Sequence, residues 1–240
     1  MSRDCSFAEC KNICILFDLI TKIIMIKCPT IGVISGTTGS GKTSILLKML
    51  EQRDFMFDKP IERVLFCYKI WQPIYEKFRD LFDQRIDFKE GLPVQEDIDF
   101  LTEGSHHSLL ITDDMCKQVG ASELITSIHQ VQSHHRSMSY INISHNLFTK
   151  AKYSRDQSLC VHFVLVMRSP RDVSQIFYLS KQIFPEYSKA IVHAYNMQME
   201  NTDTSHPYLF INLSPGSDRR HTLLANIFEG EVLNCYVVNS

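Results

Sequence analysis

Residues Gly36-Thr37-Thr38-Gly39-Ser40-Gly41-Lys42-Thr43 satisfy the pattern G-x-x-x-x-G-K-[ST] at every fixed position. Background composition generates that pattern in a chain of this length on the order of once in a hundred, so the match carries information. The chemistry it suits is phosphate binding. Glycines let backbone N–H groups turn inward with no Cβ in the way, and a helix opening after Gly41 adds its positive end. Lys42 is then placed to reach the β- and γ-phosphates of ATP, and the Thr43 hydroxyl to ligate Mg2+. With Ser44 following, the candidate nucleotide-binding residues are Gly36, Thr37, Thr38, Gly39, Ser40, Gly41, Lys42, Thr43 and Ser44.

A phosphate cradle binds; hydrolysis also needs a metal carboxylate and a group that orients water. LLITDD at 109–114 offers both, an apolar run ending in two acids. Asp113 at a strand's carboxyl end would hold Mg2+ together with Thr43, and Asp114 would serve the attacking water. The pair equally has the form of an acidic turn or a helix N-cap, but its distance from the glycine loop favours the metal role. A further apolar run ends in Ser144-His145-Asn146, where a polar side chain could sense the γ-phosphate, although a histidine at a strand end also suits plain surface polarity. Charge on the transferring phosphoryl group calls for an arginine, for which Arg136, Arg155, Arg168 and Arg171 all lie in suitable loops or element ends; Arg136 is retained in the catalytic set.

These groups need strands to carry them. Thr30–Ser35 (TIGVIS) is a β-branched run stopping at Gly36, and SILLKMLEQ after the loop has helical periodicity. Ile61–Tyr68, Ser108–Asp113, Met138–Ser144, Leu159–Met167 and Tyr208–Leu213 read as further strands. Helices are expected from Pro73 to Phe82, from about Ala121 to Gln132 and from Arg171 to Ile183, with an inserted strand or loop at Arg85–Pro93. Alternation of this kind implies a mainly parallel sheet flanked by helices, which together with the glycine loop at 36–43 gives an α/β fold of the P-loop NTPase class. The expected organisation is an N-terminal extension at 1–29, an ATPase domain at 30–215 and a loosely attached tail at 216–240.

The remaining numbers narrow the field. A chain of 240 residues with 44% hydrophobic side chains can bury one substantial core. A formal net charge of −2 supplies no whole-chain field toward nucleic acid or anionic lipid, so contact with DNA must be local. Eight cysteines without a Cys-x-x-Cys pair suit reduced thiols and a cytoplasmic or nuclear setting. Cys5, Cys10 and Cys14 lack a fourth ligand at a familiar zinc spacing. Ile13–Ile26 contains Asp18 and Lys22 and falls short of the ~20 residues of a bilayer span, so no membrane association is expected.

Taken in order, the glycine loop, the Asp-Asp strand and SHHRSMSYINISHNLF at 133–148 resemble the genome-packaging ATPases of large DNA viruses and of virus-like Polinton (Maverick) elements, within the FtsK–HerA translocase group. IERVLFCYKIWQPIYEK at 61–77, EGLP at 90–93 and RSPRDVSQI at 168–176 extend the resemblance over about 31–215. It implies an additional-strand P-loop core, ATP hydrolysis with Mg2+, and a homo-oligomeric ring that pushes double-stranded DNA through a capsid portal or vertex protein. The expected location is the host cytoplasm or nucleus, or the virion. Lys42, Thr43, Asp113 and Asp114 match the family's motif positions, whereas His145 stands where the family typically has Gln, and Thr37 where it often has Pro. Lys150, Lys152 and Arg155 form the best local basic cluster for DNA phosphates. A P-loop kinase, and a nucleotide-binding scaffold that does not hydrolyse, are the competing readings.

Overall fold

The computed structural model describes residues 25–104, 106–169, 173–200 and 205–238. Within them β1 (Ile31–Ser35), β2 (Arg63–Tyr68), β3 (Ile86–Glu90), β4 (Ser108–Asp113), β5 (Met138–Ser144), β6 (Phe163–Met167), β7 (Tyr208–Asn212), β8 (Leu223–Ala225) and β9 (Asn234–Cys235) build one sheet. Its order is β3-β2-β4-β5-β1-β6-β7-β8-β9. The first six strands pair in parallel, and β7, β8 and β9 add antiparallel neighbours at one side. β5 lies between β1 and β4, which is the inserted strand expected of the additional-strand class.

Both faces of the sheet are covered, so the central strands are apolar on each side. Ile34, Ile143 and Leu165 belong to one buried cluster and Tyr140, Val164 and Val166 to the other. On the first face α1 (Lys42–Glu51) buries Leu46, Met49 and Leu50 completely, at the spacing of one helical stripe. Beside it α2 (Tyr75–Phe82) places Tyr75, Phe78 and Phe82 inward, with the Phe66 ring 4.7 Å from Tyr75 and 5.2 Å from Phe78. The second face carries α3 (Gln95–Leu101), α4 (Cys116–Ala121), α5 (Glu123–Ser127), α6 (Ser154–Leu159), α7 (Val173–Ile183) and α8 (Ala190–Met199).

Three expectations change. The helix expected over about Ala121–Gln132 breaks at Ser122, whose hydroxyl accepts the Ile125 N–H at 3.2 Å and starts α5; a π turn at Ile128–Gln132 follows. The strand expected from Leu159 begins at Phe163, because Leu159 closes α6 and faces solvent. Beyond Pro215, where a loosely attached tail was expected, Leu223, Leu224 and Ala225 are fully buried, the two leucines paired with β7 and Ala225 with β9. Their apolar side chains continue the sheet instead of leaving it. Cys5, Cys10, Cys14, Arg171 and nearly all of the 13–26 stretch lie outside the described residues. No helix among the described residues is long and apolar enough to cross a membrane.

Candidate nucleotide-binding site

Parallel strands bring their carboxyl ends to one edge, and there the loop 36–41, Asp113 and His145 converge. β1 ends at Ser35, and Gly36 N–H donates to the Ser144 carbonyl at 3.3 Å, tying the glycine loop to the end of β5. Gly41 has φ 92°, a left-handed conformation that glycine adopts without strain, and no side chain caps the helix that follows. The first N–H groups of α1 are therefore left facing the loop, as a bound anion requires.

Lys42 is only 7% exposed. Its ammonium donates to the Thr37 carbonyl at 3.1 Å and lies 3.2 Å from His145 Nδ1. Burial lowers its pKa from the ordinary value, while Asp114 and Asp113 push it back up. The Thr43 hydroxyl donates to Asp113 Oδ2 at 3.3 Å. Asp113, 1% exposed, also accepts a 2.9 Å hydrogen bond from the buried Tyr75 hydroxyl. Burial pushes the Asp113 carboxyl up to about 6; the Tyr75 hydrogen bond opposes the rise and the charge of Asp114 adds to it. The Tyr75 phenol is raised in turn, by its own burial and then by Asp113, which keeps it a proton donor.

Asp114 has φ 59°, a left-handed turn that an aspartate tolerates better than most side chains. Its Oδ1 lies 2.7 Å from His145 Nε2, an ion-pair distance, yet that buried oxygen takes no aligned hydrogen bond. His145 Nδ1 is also 3.3 Å from the Gly36 carbonyl, which it could reach only by donating; accepting from Lys42 requires the proton on Nε2. The hydroxyl of Thr43 and the carboxylate of Asp113 are adjacent hard oxygen donors, and they fit Mg2+, which takes one or two protein oxygens and completes its shell with phosphate and water.

An open cleft of about 520 Å3 is lined by Thr38, Gly39, Gly41, Lys42, Thr43, Ser44, Asp113, Asp114 and His145. Those sequence candidates are brought together. Thr37 turns its hydroxyl to the Arg168 carbonyl at 3.1 Å, and Ser40 buries a hydroxyl without a partner. Asn146 is not in the cleft: it turns toward Gln175, whose amide donates to Asn146 Oδ1 at 3.4 Å. Arg136 sits beyond the amino end of β5, at the opposite edge of the sheet, held by Asp99 at 2.7 Å and Thr102 at 3.1 Å. Lys150, Lys152 and Arg155 are exposed around the start of α6, with Lys152 donating to the Tyr153 hydroxyl at 2.6 Å.

Sequence reasoning missed Tyr75 and His206, which also borders the cleft. Tyr75 lies within the WQPIYEK segment of the resemblance, yet nothing local marks it as a partner of Asp113, 38 residues away. His206 carries no motif at all.

No protein-family model matches the chain, and no curated protein matches its sequence. Solved structures that share the fold include the genome-packaging NTPase B204 of Sulfolobus turreted icosahedral virus 2 with sulfate, 9% identical at a TM-score of 0.50, the match covering 88% of this chain and 97% of that one. The DNA-packaging ATPase B204 of Sulfolobus turreted icosahedral virus is 10% identical at a TM-score of 0.50, over 90% of this chain and all of that one. At such identity the likeness is one of fold.

Proposed function

We propose that this chain is an ATPase that moves double-stranded DNA into the capsid of a virus or virus-like element. The observation that carries the reading is the meeting of Lys42, Thr43, Asp113, Asp114 and His145 around one cleft at the carboxyl edge of a parallel sheet. That the two B204 proteins of like fold are a genome-packaging NTPase and a DNA-packaging ATPase supports the cargo.

The N–H groups of the loop 36–41 and of the first turn of α1 bind the β- and γ-phosphates, and Lys42 exchanges the Thr37 carbonyl and His145 for phosphate oxygen. Thr43 and Asp113 hold Mg2+, which supplies charge neutralisation across the phosphates when bound. Asp114, whose Oδ1 takes no aligned hydrogen bond, orients the attacking water and takes up its proton. His145 reports whether Lys42 is engaged.

An arginine from a neighbouring subunit of a ring completes the site. Arg136, tied to Asp99 in its own chain, must leave that partner to do so, whereas Arg168 stands beside the loop of its own chain, its carbonyl bonded to Thr37, and would serve that site in cis. Lys150, Lys152 and Arg155 are the candidate contacts to the DNA backbone, and a portal or vertex protein is the expected docking partner.

Steady-state ATP hydrolysis, measured with and without linear duplex DNA and with Lys42→Ala as the blank, tests the reading. DNA stimulation that the variant abolishes is the expected result. Binding of ATP without turnover in either condition would instead make the chain a non-hydrolysing scaffold, and phosphate transfer to a small acceptor would make it a kinase.

A further inference from the structure

The antiparallel turn of β7 has a consequence for the nucleotide. Because β7 runs against β6, with Tyr208 in register with Met167, its amino end lies at the same edge as the carboxyl ends of the parallel strands. The residues just before it, 205–207, are therefore delivered to the mouth of the cleft. Their position is fixed from behind: Pro207 and Tyr208 are buried, and the Tyr208 hydroxyl accepts the Ile227 N–H at 2.8 Å.

His206 is the side chain this arrangement presents. It is exposed, it lines the cleft, and its ring lies directly over Gly41. A Cβ added to Gly41 would stand 2.6 Å from His206 Nδ1, 2.7 Å from Cγ and 3.0 Å from Cδ2. The glycine thus serves two ends, permitting φ 92° and leaving room for an aromatic ring against the backbone.

We infer that His206 is the platform on which the base of a nucleoside triphosphate stacks, an inference that rests on the nucleotide-binding reading of the cleft. The inner end of the cleft is filled by groups suited to phosphate and metal: Lys42, Thr43 and Asp113. A nucleotide whose β- and γ-phosphates occupy that end must lay its nucleoside toward the outer wall. Gln72, Pro73 and Ile74 form one part of that wall and His206 another. Of these, His206 alone offers a flat conjugated face, and stacking on such a face tolerates any base.

Binding of ATP and of inorganic tripolyphosphate, each with Mg2+ and read by calorimetry on the full chain, separates this role from a role in phosphate binding. His206→Ala should weaken ATP roughly ten-fold, the scale of one base on one ring, and leave tripolyphosphate unchanged. His206→Phe, which keeps a ring and loses both nitrogens, should restore most of the ATP affinity. Equal weakening of the two ligands would show that His206 acts on the phosphates, and loss of ATP affinity in the Phe variant as great as in the Ala variant would show that it acts through a ring nitrogen; either result overturns the inference. Unchanged ATP binding in His206→Ala overturns it too, while leaving the cleft a nucleotide site. A wild-type chain that binds neither ligand would bring down the nucleotide-binding reading and this inference together.

Discussion

His145 bridges Lys42 and Asp114, its Nδ1 3.2 Å from the lysine ammonium and its Nε2 2.7 Å from Asp114 Oδ1. One ring therefore touches the cation that should grip the γ-phosphate and the acid that should handle the attacking water. The relationship is possible because β5 stands between β1 and β4, so the residue after its last position falls between the two motifs.

If that bridge serves catalysis and not binding, kcat and KM will respond differently. His145→Ala should lower kcat on the order of 100-fold while leaving KM for ATP close to wild type. His145→Gln, which keeps a polar group but cannot become a cation, should stay within about ten-fold of wild type. A rise in KM alone would place His145 among the ground-state binding groups.

Tyr75 should act through Asp113. Tyr75→Phe removes the 2.9 Å donor to Oδ2 and leaves the ring packing intact, so the stability loss should be about 1 kcal/mol. The Mg2+ concentration needed for half-maximal hydrolysis should rise about ten-fold, with kcat at saturating Mg2+ nearly preserved. An unchanged Mg2+ requirement would reduce Tyr75 to a core residue.

Asp113 should make the metal-free protein more stable in acid. Its carboxyl is raised from 3.8 to about 6 by burial, so the folded chain holds the proton more tightly than the unfolded one. That contribution is fully present below pH ~4 and is lost as the pH climbs through ~6. Asp113→Asn should accordingly stabilise the metal-free protein at pH 7.5, by at most ~3 kcal/mol, and give no gain at pH 4. Thermal unfolding at the two pH values checks it; an equal effect at both would contradict the assignment. The same variant should be inactive.

Reversing the charge of Lys150, Lys152 and Arg155 together should weaken duplex DNA binding and flatten its salt dependence, by roughly 0.9 in slope for each lost phosphate contact. Lys152, already 3.9 Å from Glu123 and bonded to Tyr153, should contribute least when changed alone. DNA affinity and slope that match wild type would send the search for the DNA surface elsewhere.

How much of this was legible in the sequence follows the distance between cooperating residues. Gly36 to Thr43 is a contiguous pattern, and LLITDD announces both its strand and its acids, so these were readable. The Tyr75–Asp113 bond was not, because it depends on how α2 leans against Phe66. His206 was invisible for a related reason: only the reversed direction of β7 brings it to Gly41. Apolar runs misled where periodicity changed inside them. LCVHFVLVM begins in the last residue of a helix, and the buried Leu223–Ala225 strand is too short to stand out from its polar surroundings.

Along β5 successive side chains point to opposite faces of the sheet, Ile141 and Ile143 to one and Met138 and Tyr140 to the other, and the chain bends at His145 as the strand ends. His145 opens into the cleft, whereas Asn146 meets Gln175 of α7 on the far side. A single peptide unit thus joins two compartments: the nucleotide cleft, and a cavity that Asn146, Leu147, Phe148 and Thr149 line together with Leu179 and Gln182 of α7. The side chain that meets the nucleotide and the stretch leading to Lys150 are therefore neighbours in the chain, although they occupy different faces of the sheet.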